Sequence, residues 1–307
     1  MTLTDHDILI FDGACGTNLQ NMAIPESVWD GNKGCNEYLN LSSPETIVQL
    51  HRSFVDAGAM VLETNTFGAS DIVLAEYGLE NNVEAINHAA VENAKKAIAG
   101  KANVYIAGSV GPGTKLPSLG HITVDNLTRS LRQQITALAE AGVDVIILET
   151  CQDLLQAKTA VITCFEILEQ LGKNIPVMLS VTIERTGTML VGTDIAAVVA
   201  TFEPFDLLSL GLNCATGPAD MESYIRYLSH HWPKRISCIP NQGLPAIIDG
   251  ETVYPMKPAE YAEHMKRFIE HDGVSIVGGC CGTAPEHIRC LVDAVSRVKP
   301  AERTVLS

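Results

Sequence analysis

Eight short apolar runs recur along the chain, at 8–11, 60–63, 104–107, 143–148, 177–181, 207–212, 236–239 and 274–277. They are rich in Val, Ile and Leu, and most do not alternate with polar positions. A strand buried on both faces, as in a parallel sheet, reads this way. Between the runs the period becomes helical. Ile47, Leu50, His51, Phe54 and Val55 fall at i, i+3, i+4, i+7 and i+8, with Ser43-Pro44 ahead and Gly58 behind. That spacing predicts a helix with its start and stop signals in place. Leu127, Leu131, Ile135 and Leu138 repeat the pattern before Gly142. The last helical segment opens with Thr283-Ala284-Pro285-Glu286, where a Thr and a Glu three apart predict a capping box.

Three helix ends lead into strands in the same manner. Asp56-Ala57-Gly58 precedes Leu62-Glu63-Thr64, Glu140-Ala141-Gly142 precedes Leu148-Glu149-Thr150, and His271-Asp272-Gly273 precedes Ile276-Val277-Gly278. Eight strand–helix units in 307 residues predict an α/β fold, a (β/α)8 TIM barrel forming one domain over 1–307. An open doubly wound sheet is the alternative. No Gly-x-Gly-x-x-Gly follows the first strand, which weakens its dinucleotide-binding form. Two longer loops, 18–42 and 241–257, interrupt the alternation. In a barrel both lie on the C-terminal face, where active sites are built.

Composition narrows the partners. Apolar residues make up 46% and charged residues 19%, which excludes a disordered or fibrous chain. The net charge of −15 argues against nucleic acid, whose binding needs clustered positive charge. No basic amphipathic stretch points to an anionic membrane surface, and no apolar run has the length of a membrane span. The first residues, Met1-Thr2-Leu3-Thr4-Asp5-His6-Asp7, show no export signal. The nine cysteines are an odd number and cannot all pair within the chain. A cytoplasmic protein with reduced thiols is expected, some of them available to a metal.

The chemically useful residues gather where strands end. Asp12-Gly13-Ala14 follows strand 1, Glu63-Thr64-Asn65 strand 2, Ser109 strand 3 and Glu149-Thr150 strand 4. Asn213-Cys214 follows strand 6, Pro240-Asn241 strand 7, and Gly278-Gly279-Cys280-Cys281-Gly282 strand 8. In a closed barrel all of them converge on one face. Neighbouring residues on a regular strand point to opposite sides, but the glycines around Cys280-Cys281 permit backbone angles that turn both sulfurs to one point. With Cys214 they form a candidate zinc site of three thiolates and one open position. A vicinal disulfide or a redox pair is the competing reading of Cys280-Cys281. Cys164, Cys238 and Cys290 fall at packing positions, and Cys15, Cys35 and Cys151 are more readily structural than functional. His230-His231 read as solvated. Asp12 and Glu149 could cap loops, or hold a cation between two anions; Glu63 has the same placement but nothing else singles it out.

The chain resembles the homocysteine S-methyltransferase family, most closely the homocysteine-binding module of cobalamin-dependent methionine synthase. The resemblance rests on Leu9-Ile10-Phe11-Asp12-Gly13-Ala14-Cys15-Gly16-Thr17, Glu63-Thr64-Asn65-Thr66-Phe67-Gly68, Gly111-Pro112, Leu148-Glu149-Thr150 and Gly211-Leu212-Asn213-Cys214. It continues in Pro240-Asn241-Gln242-Gly243-Leu244-Pro245, Val253-Tyr254-Pro255-Met256-Lys257-Pro258 and Gly278-Gly279-Cys280-Cys281-Gly282-Thr283. These motifs run in order over nearly the whole chain. One departure is Cys15, where the related synthases often carry Met or another large residue; it places a fourth sulfur near the mouth.

The resemblance implies a zinc site at the C-terminal strand ends, with Cys214, Cys280 and Cys281 as ligands. It implies that homocysteine binds Zn²⁺ through sulfur, its amino group at Asp12 and Glu149, its carboxylate near the backbone of Gly13 and Ala14, with Asn213 beside it. Asn241 matches a position that fills the fourth zinc site when substrate is absent. The implied reaction is methyl transfer to homocysteine, giving methionine, from methylcobalamin on a corrinoid-binding domain or protein. Three cysteinates and one Zn²⁺ sum to −1, and homocysteinate makes −2, which keeps the bound sulfur nucleophilic. The alternatives are a free-standing methyltransferase using betaine or S-methylmethionine, a zinc- or thiol-binding module without turnover, and a pterin- or corrinoid-binding barrel. The sequence stops at Ser307, before any of the further modules of the cobalamin-dependent synthases. A piece of a larger enzyme and a free-standing enzyme both fit that length.

Overall fold

The structure, a computed structural model, describes residues 2–306 except 244–245, 249–250 and 254–255, and for 246–248 and 251–253 it describes the backbone only. Leu244, Pro245, Tyr254 and Pro255 of the sequence motifs thus lie outside the described residues. The strands are β1 (Leu9–Ile10), β2 (Val61–Glu63), β3 (Tyr105–Val110), β4 (Val145–Cys151), β5 (Val177–Val181), β6 (Ser209–Asn213), β7 (Arg235–Ile239), β8 (Ala246–Ile248), β9 (Glu251–Val253) and β10 (Ile276–Val277). Eight of them form one sheet in the order β1-β10-β7-β6-β5-β4-β3-β2. Every pairing in that sheet is parallel.

The two ends of the order meet. Phe11 and Val61 form a parallel bridge. The Met60 N–H donates to the Ile10 carbonyl at 2.7 Å, and the Asp12 N–H to the Val61 carbonyl at 3.0 Å. Closure makes the sheet a (β/α)8 barrel and excludes the open doubly wound alternative. All eight predicted runs are barrel strands. The ladders of β3, β4 and β6 extend one to three residues beyond the apolar runs, because Ser109, Glu149 and Asn213 keep strand geometry while their side chains turn polar.

Two apolar layers explain why the runs do not alternate. Leu9, Phe11, Val61, Ala107, Val145, Ile147, Met178, Ile239 and Ile276 fill the lumen. Ile10, Leu62, Ile106, Ile146, Leu148, Leu179, Leu210, Leu212, Ile236, Cys238 and Val277 face the helices. Each strand therefore hides both faces. The predicted helices form at Pro44–Ala57 and Val124–Ala141, with left-handed glycines at their ends, Gly58 at φ 100° and Gly142 at φ 87°.

Two expectations are corrected. The 241–257 loop contains an antiparallel hairpin, β8 paired with β9. Thr283 does not cap the last helix, Pro285–Val295; the N-cap is Ala284, whose N–H donates to His287 Nδ1 at 3.1 Å. Thr283 is engaged elsewhere: its Oγ1 accepts from the Ala14 N–H at 3.1 Å and donates to the Cys280 carbonyl at 2.6 Å. Cys164 and Cys238 are buried in the packing between sheet and helices, as their positions predict. No helix among the described residues is long and apolar enough to cross a membrane.

Candidate active site

Strand periodicity places the polar side chains at the mouth. Glu63 lies two residues beyond Val61, Ser109 two beyond Ala107, and Glu149 two beyond Ile147, so each continues the lumen-facing side of its strand. They cap the apolar lumen and line a pocket of about 230 Å³ together with Asp12, Gly13, Ala14, Cys15, Asn213, Cys214, Cys280 and Cys281. Among the described residues the lining contains neither Lys nor Arg.

Cys214, Cys280 and Cys281 come together with all three sulfurs within 4.8 Å of one another. The Cys214 and Cys281 sulfurs are 3.8 Å apart, and none of the nine cysteines is in a disulfide. Among the described residues this is the one group of three His, Cys, Asp or Glu side chains close enough to share an ion. Cys214 is half-buried and sits at φ 56°, with Ala215 at φ 54°. Non-glycine residues seldom adopt that region, and such strain clusters at functional sites. The Cys214 N–H donates to the Ile239 carbonyl at 3.2 Å, and the Thr216 N–H to the Cys214 carbonyl at 2.6 Å.

The vicinal pair is braced from three sides. The Cys280 N–H donates to the Pro240 carbonyl at 2.8 Å, and the Gln242 N–H to the Cys281 carbonyl at 2.9 Å. Gly282 takes the left-handed angle, φ 82°, and its N–H meets Thr17 Oγ1 at 3.2 Å. Gly278 serves by close approach: a Cβ there would lie 2.6 Å from the Phe11 Cβ. Of the glycines around the pair only Gly282 takes the left-handed angle, while the non-glycine residues of the site in that region are Thr150, Cys214 and its neighbour Ala215, which sequence reasoning did not single out for strain.

The donor set suits a soft, tetrahedral cation. Hydrogen bonding from Cys214 and Cys280 holds the Cys281 thiol down to about 3, while bonding to Cys214 and Cys281 pushes Cys280 well above the usual thiol range. Asn241 supplies a further fitting group. It is buried, its Oδ1 has no hydrogen-bond partner, and its backbone N–H is tied to the Thr216 carbonyl at 3.1 Å. The next residue, Gln242, bonds the Cys281 backbone, so Asn241 lies between the two cysteine-bearing turns. Three thiols and an orphaned amide oxygen match the ligand chemistry of Zn²⁺.

Across the pocket stand three acids. Glu149 is buried and accepts from Ser109 Oγ at 2.5 Å, Thr150 Oγ1 at 3.2 Å and Asn213 Nδ2 at 3.0 Å. Burial raises its pKa, and the hydrogen bonds oppose the rise. Asp12 receives the Glu63 N–H on both oxygens, at 3.3 and 3.2 Å; burial still pushes its carboxyl well above the usual range. Glu63 is pushed well above its usual value by burial, then by Glu149 and Asp12.

Other sequence-derived residues find particular places. Asn213 is spent on bracing: besides Glu149 it donates to Thr150 Oγ1 at 2.7 Å, and its Oδ1 accepts the Thr150 N–H at 2.9 Å. The Ala14 N–H is engaged with Thr283. Cys15 does reach the pocket, its thiol 3.3 Å from Asn65 Oδ1. Cys35 and Cys151 are buried and absent from its lining. Sequence reasoning missed Glu37, which lines the pocket from the first long loop and accepts the Gly68 N–H at 2.7 Å. His51, whose spacing predicts a core position of its helix, also lines the pocket; burial lowers its pKa to about 4.

Comparison with known proteins agrees with this geometry. A sequence profile described as homocysteine S-methyltransferase matches residues 9–295. Methionine synthase of Mycobacterium leprae is 40% identical over 295 residues, which is 94% of this chain and 24% of that protein. Methionine synthase of Mycobacterium tuberculosis is 40% identical over 302 residues, 97% of this chain and 25% of that protein. The chain spans about a quarter of the length of these relatives. Among solved structures, the oxidized form of the homocysteine methyltransferase MmuM from Escherichia coli superposes with a TM-score of 0.75 at 24% identity, covering 95% of this chain and 98% of that one. Its metallated form gives 0.74 at 23% identity, covering 94% and 96%. At such identity the superposition speaks for the barrel fold. The profile, in contrast, extends from β1 to the last helix, and the chain belongs to the homocysteine S-methyltransferase family.

Proposed function

We propose that residues 1–307 form one homocysteine-binding barrel domain, a zinc-dependent S-methyltransferase that methylates homocysteine to methionine. The observation that carries the reading is the juxtaposition in one pocket of three thiols on one side and three acids on the other, Asp12 and Glu149 buried and Glu63 half-buried, with no Lys or Arg in the lining among the described residues. Homocysteine is bipolar in the same sense, a thiol at one end and an ammonium at the other. Cys214, Cys280 and Cys281 would hold Zn²⁺, with Asn241 as fourth ligand when substrate is absent. A bound zinc ion supplies a Lewis acid that keeps the substrate's sulfur deprotonated at neutral pH. Asp12 and Glu149 hold the ammonium, and the backbone around Gly13 and Ala14 faces the carboxylate. Asn213 works through Glu149, fixing its orientation. Positioning of this kind removes much of the entropic barrier to in-line transfer.

Methylcobalamin, on a corrinoid-binding domain or protein, is the donor best supported, because relatives at 40% identity are methionine synthases of about four times this length. A betaine or S-methylmethionine donor is the alternative. A non-catalytic zinc- or thiol-binding module has no use for the acid cluster. Reduced thiols at the site fit a cytoplasmic setting.

Metal analysis of Cys214→Ser, Cys280→Ser and Cys281→Ser should show zinc lost or sharply reduced in each. Zinc K-edge absorption on adding homocysteine should show one oxygen or nitrogen ligand replaced by sulfur. An unchanged edge would refute the thiol-coordination mechanism. A methyl-transfer assay comparing methylcobalamin, a methyl-corrinoid protein, betaine, S-methylmethionine and S-adenosylmethionine decides the donor.

A further inference from the structure

Glu63 has no assigned part in the chemistry above, yet its place in the fold equals that of Glu149. Both sit two residues beyond a lumen-facing apolar side chain, Val61 in β2 and Ile147 in β4, and both line the pocket. Their surroundings differ. Glu149 accepts hydrogen bonds from Ser109, Thr150 and Asn213. The backbone N–H of Glu63 holds Asp12, but among the described residues no donor reaches the Glu63 carboxylate itself.

Glu63 is half-buried at the mouth, beside Asp12 and in the same pocket as Glu149, and a carboxyl group set among other acids without a donor costs stability, which also raises its pKa. The local rule is broken at a cleft, where such violations serve a ligand. The missing partner is a cation. The Cys15 thiol, the Glu37 carboxyl and the neutral His51 ring also border the pocket and supply no positive charge. An ammonium group offers three N–H donors. Asp12, Glu63 and Glu149 offer three carboxyl groups, from the ends of β1, β2 and β4.

Resting on the reading of this pocket as homocysteine's, we infer that Glu63 is the third carboxylate of an ammonium cage and sets the preference for amino-acid thiols over thiols lacking the amino group. Asp12 links the cage together, because it is positioned by the Glu63 backbone. Glu149 is braced by three side-chain donors, and Glu63 is the member whose carboxyl has no donor among the described residues.

The test is calorimetric titration of the zinc-loaded full chain with L-homocysteine and with 4-mercaptobutanoate. The second ligand keeps the thiol and the carboxylate and lacks the ammonium. Wild type should bind homocysteine more tightly. In Glu63→Gln, homocysteine affinity should fall roughly ten- to hundred-fold, the effect of one charge-assisted hydrogen bond. Its affinity for 4-mercaptobutanoate should hold or improve, with zinc content at the wild-type level. Glu63→Asp should restore part of the discrimination. Equal weakening toward both ligands, or undiminished discrimination in Glu63→Gln, would overturn the assignment of Glu63 while leaving the pocket's function standing. A wild-type protein that binds both thiols equally would overturn the ammonium cage and the reading on which it rests.

Discussion

Glu149 and Glu63 are the same residue type at the same depth of the same pocket, and hydrogen bonds set them apart. Three side-chain donors orient Glu149 and oppose the rise in its pKa that burial causes. Glu149→Gln should therefore keep its zinc and lose roughly ten-fold or more in homocysteine affinity, as read by metal analysis beside calorimetric titration. Loss of zinc with normal affinity would assign Glu149 to the metal instead. Glu63 leads to a prediction about pH. Its carboxyl keeps a proton in the ligand-free fold to higher pH than in the unfolded chain. Its favourable contribution is complete below the unfolded value of about 4.3 and is lost as pH rises through the raised folded value. Glu63→Gln preserves the neutral shape, so at pH 8 it should melt at least about 2 °C above wild type without ligand. The gain should shrink as pH falls toward 5. Equal melting temperatures at pH 8 would mean that the carboxylate finds a partner in solution.

At the scale of elements, short connections between strand ends hold the sulfurs. Tyr261, on helix Pro258–Asp272, places its hydroxyl 2.6 Å from the Gly278 carbonyl and 3.2 Å from that of Pro240. It thereby joins the ends of β7 and β10, beside the turn that carries Cys280 and Cys281. Tyr261→Phe removes the hydroxyl donor from the Gly278 carbonyl, while Pro240 keeps the Cys280 N–H, at a cost of about 1–3 kcal/mol. Thermal denaturation should register that loss, and competition with a chelator should show weaker zinc retention than in wild type. Thr283 shows where local reading reaches its limit. Its spacing to Glu286 spells a capping box, but its hydroxyl is taken by Ala14 and Cys280. A contact spanning 269 residues outweighs one spanning three. The strand extensions have a similar cause, since Ser109 and Asn213 look like loop residues until neighbouring strands pair with them, and Glu149 sits in the irregular stretch of β4 before Cys151 rejoins β5.

At the scale of the molecule, closure of the sheet is what makes a site. The Phe11–Val61 bridge brings the end of β1 beside that of β2, and with it Asp12 beside Glu63. A ligand that binds only the folded barrel must stabilise it by mass action. Zinc loading should therefore raise the melting temperature in proportion to the logarithm of free zinc. Cys214→Ser, Cys280→Ser and Cys281→Ser should each lose that increment, measured by differential scanning calorimetry across a zinc series. An increment that survives in any of them would remove that cysteine from the site.

The sequence by itself determined the eight buried strands, the helix-ending glycines Gly58 and Gly142, the candidate sulfurs and the family resemblance. These are local properties: apolar period and backbone freedom act over a few residues, and a motif such as Gly-Gly-Cys-Cys-Gly-Thr is contiguous. Tertiary structure alone decided which members of that inventory meet. It made Asn213 a brace for Glu149, diverted Thr283 from its helix, put Glu37 and His51 on the pocket wall, and placed the strain at Cys214. It also made Glu63 a member of the acid cluster. The physical reason is that desolvation, charge–charge repulsion and hydrogen-bond competition depend on distances between residues as far apart in sequence as 12 and 281, and those distances exist only once the barrel has closed.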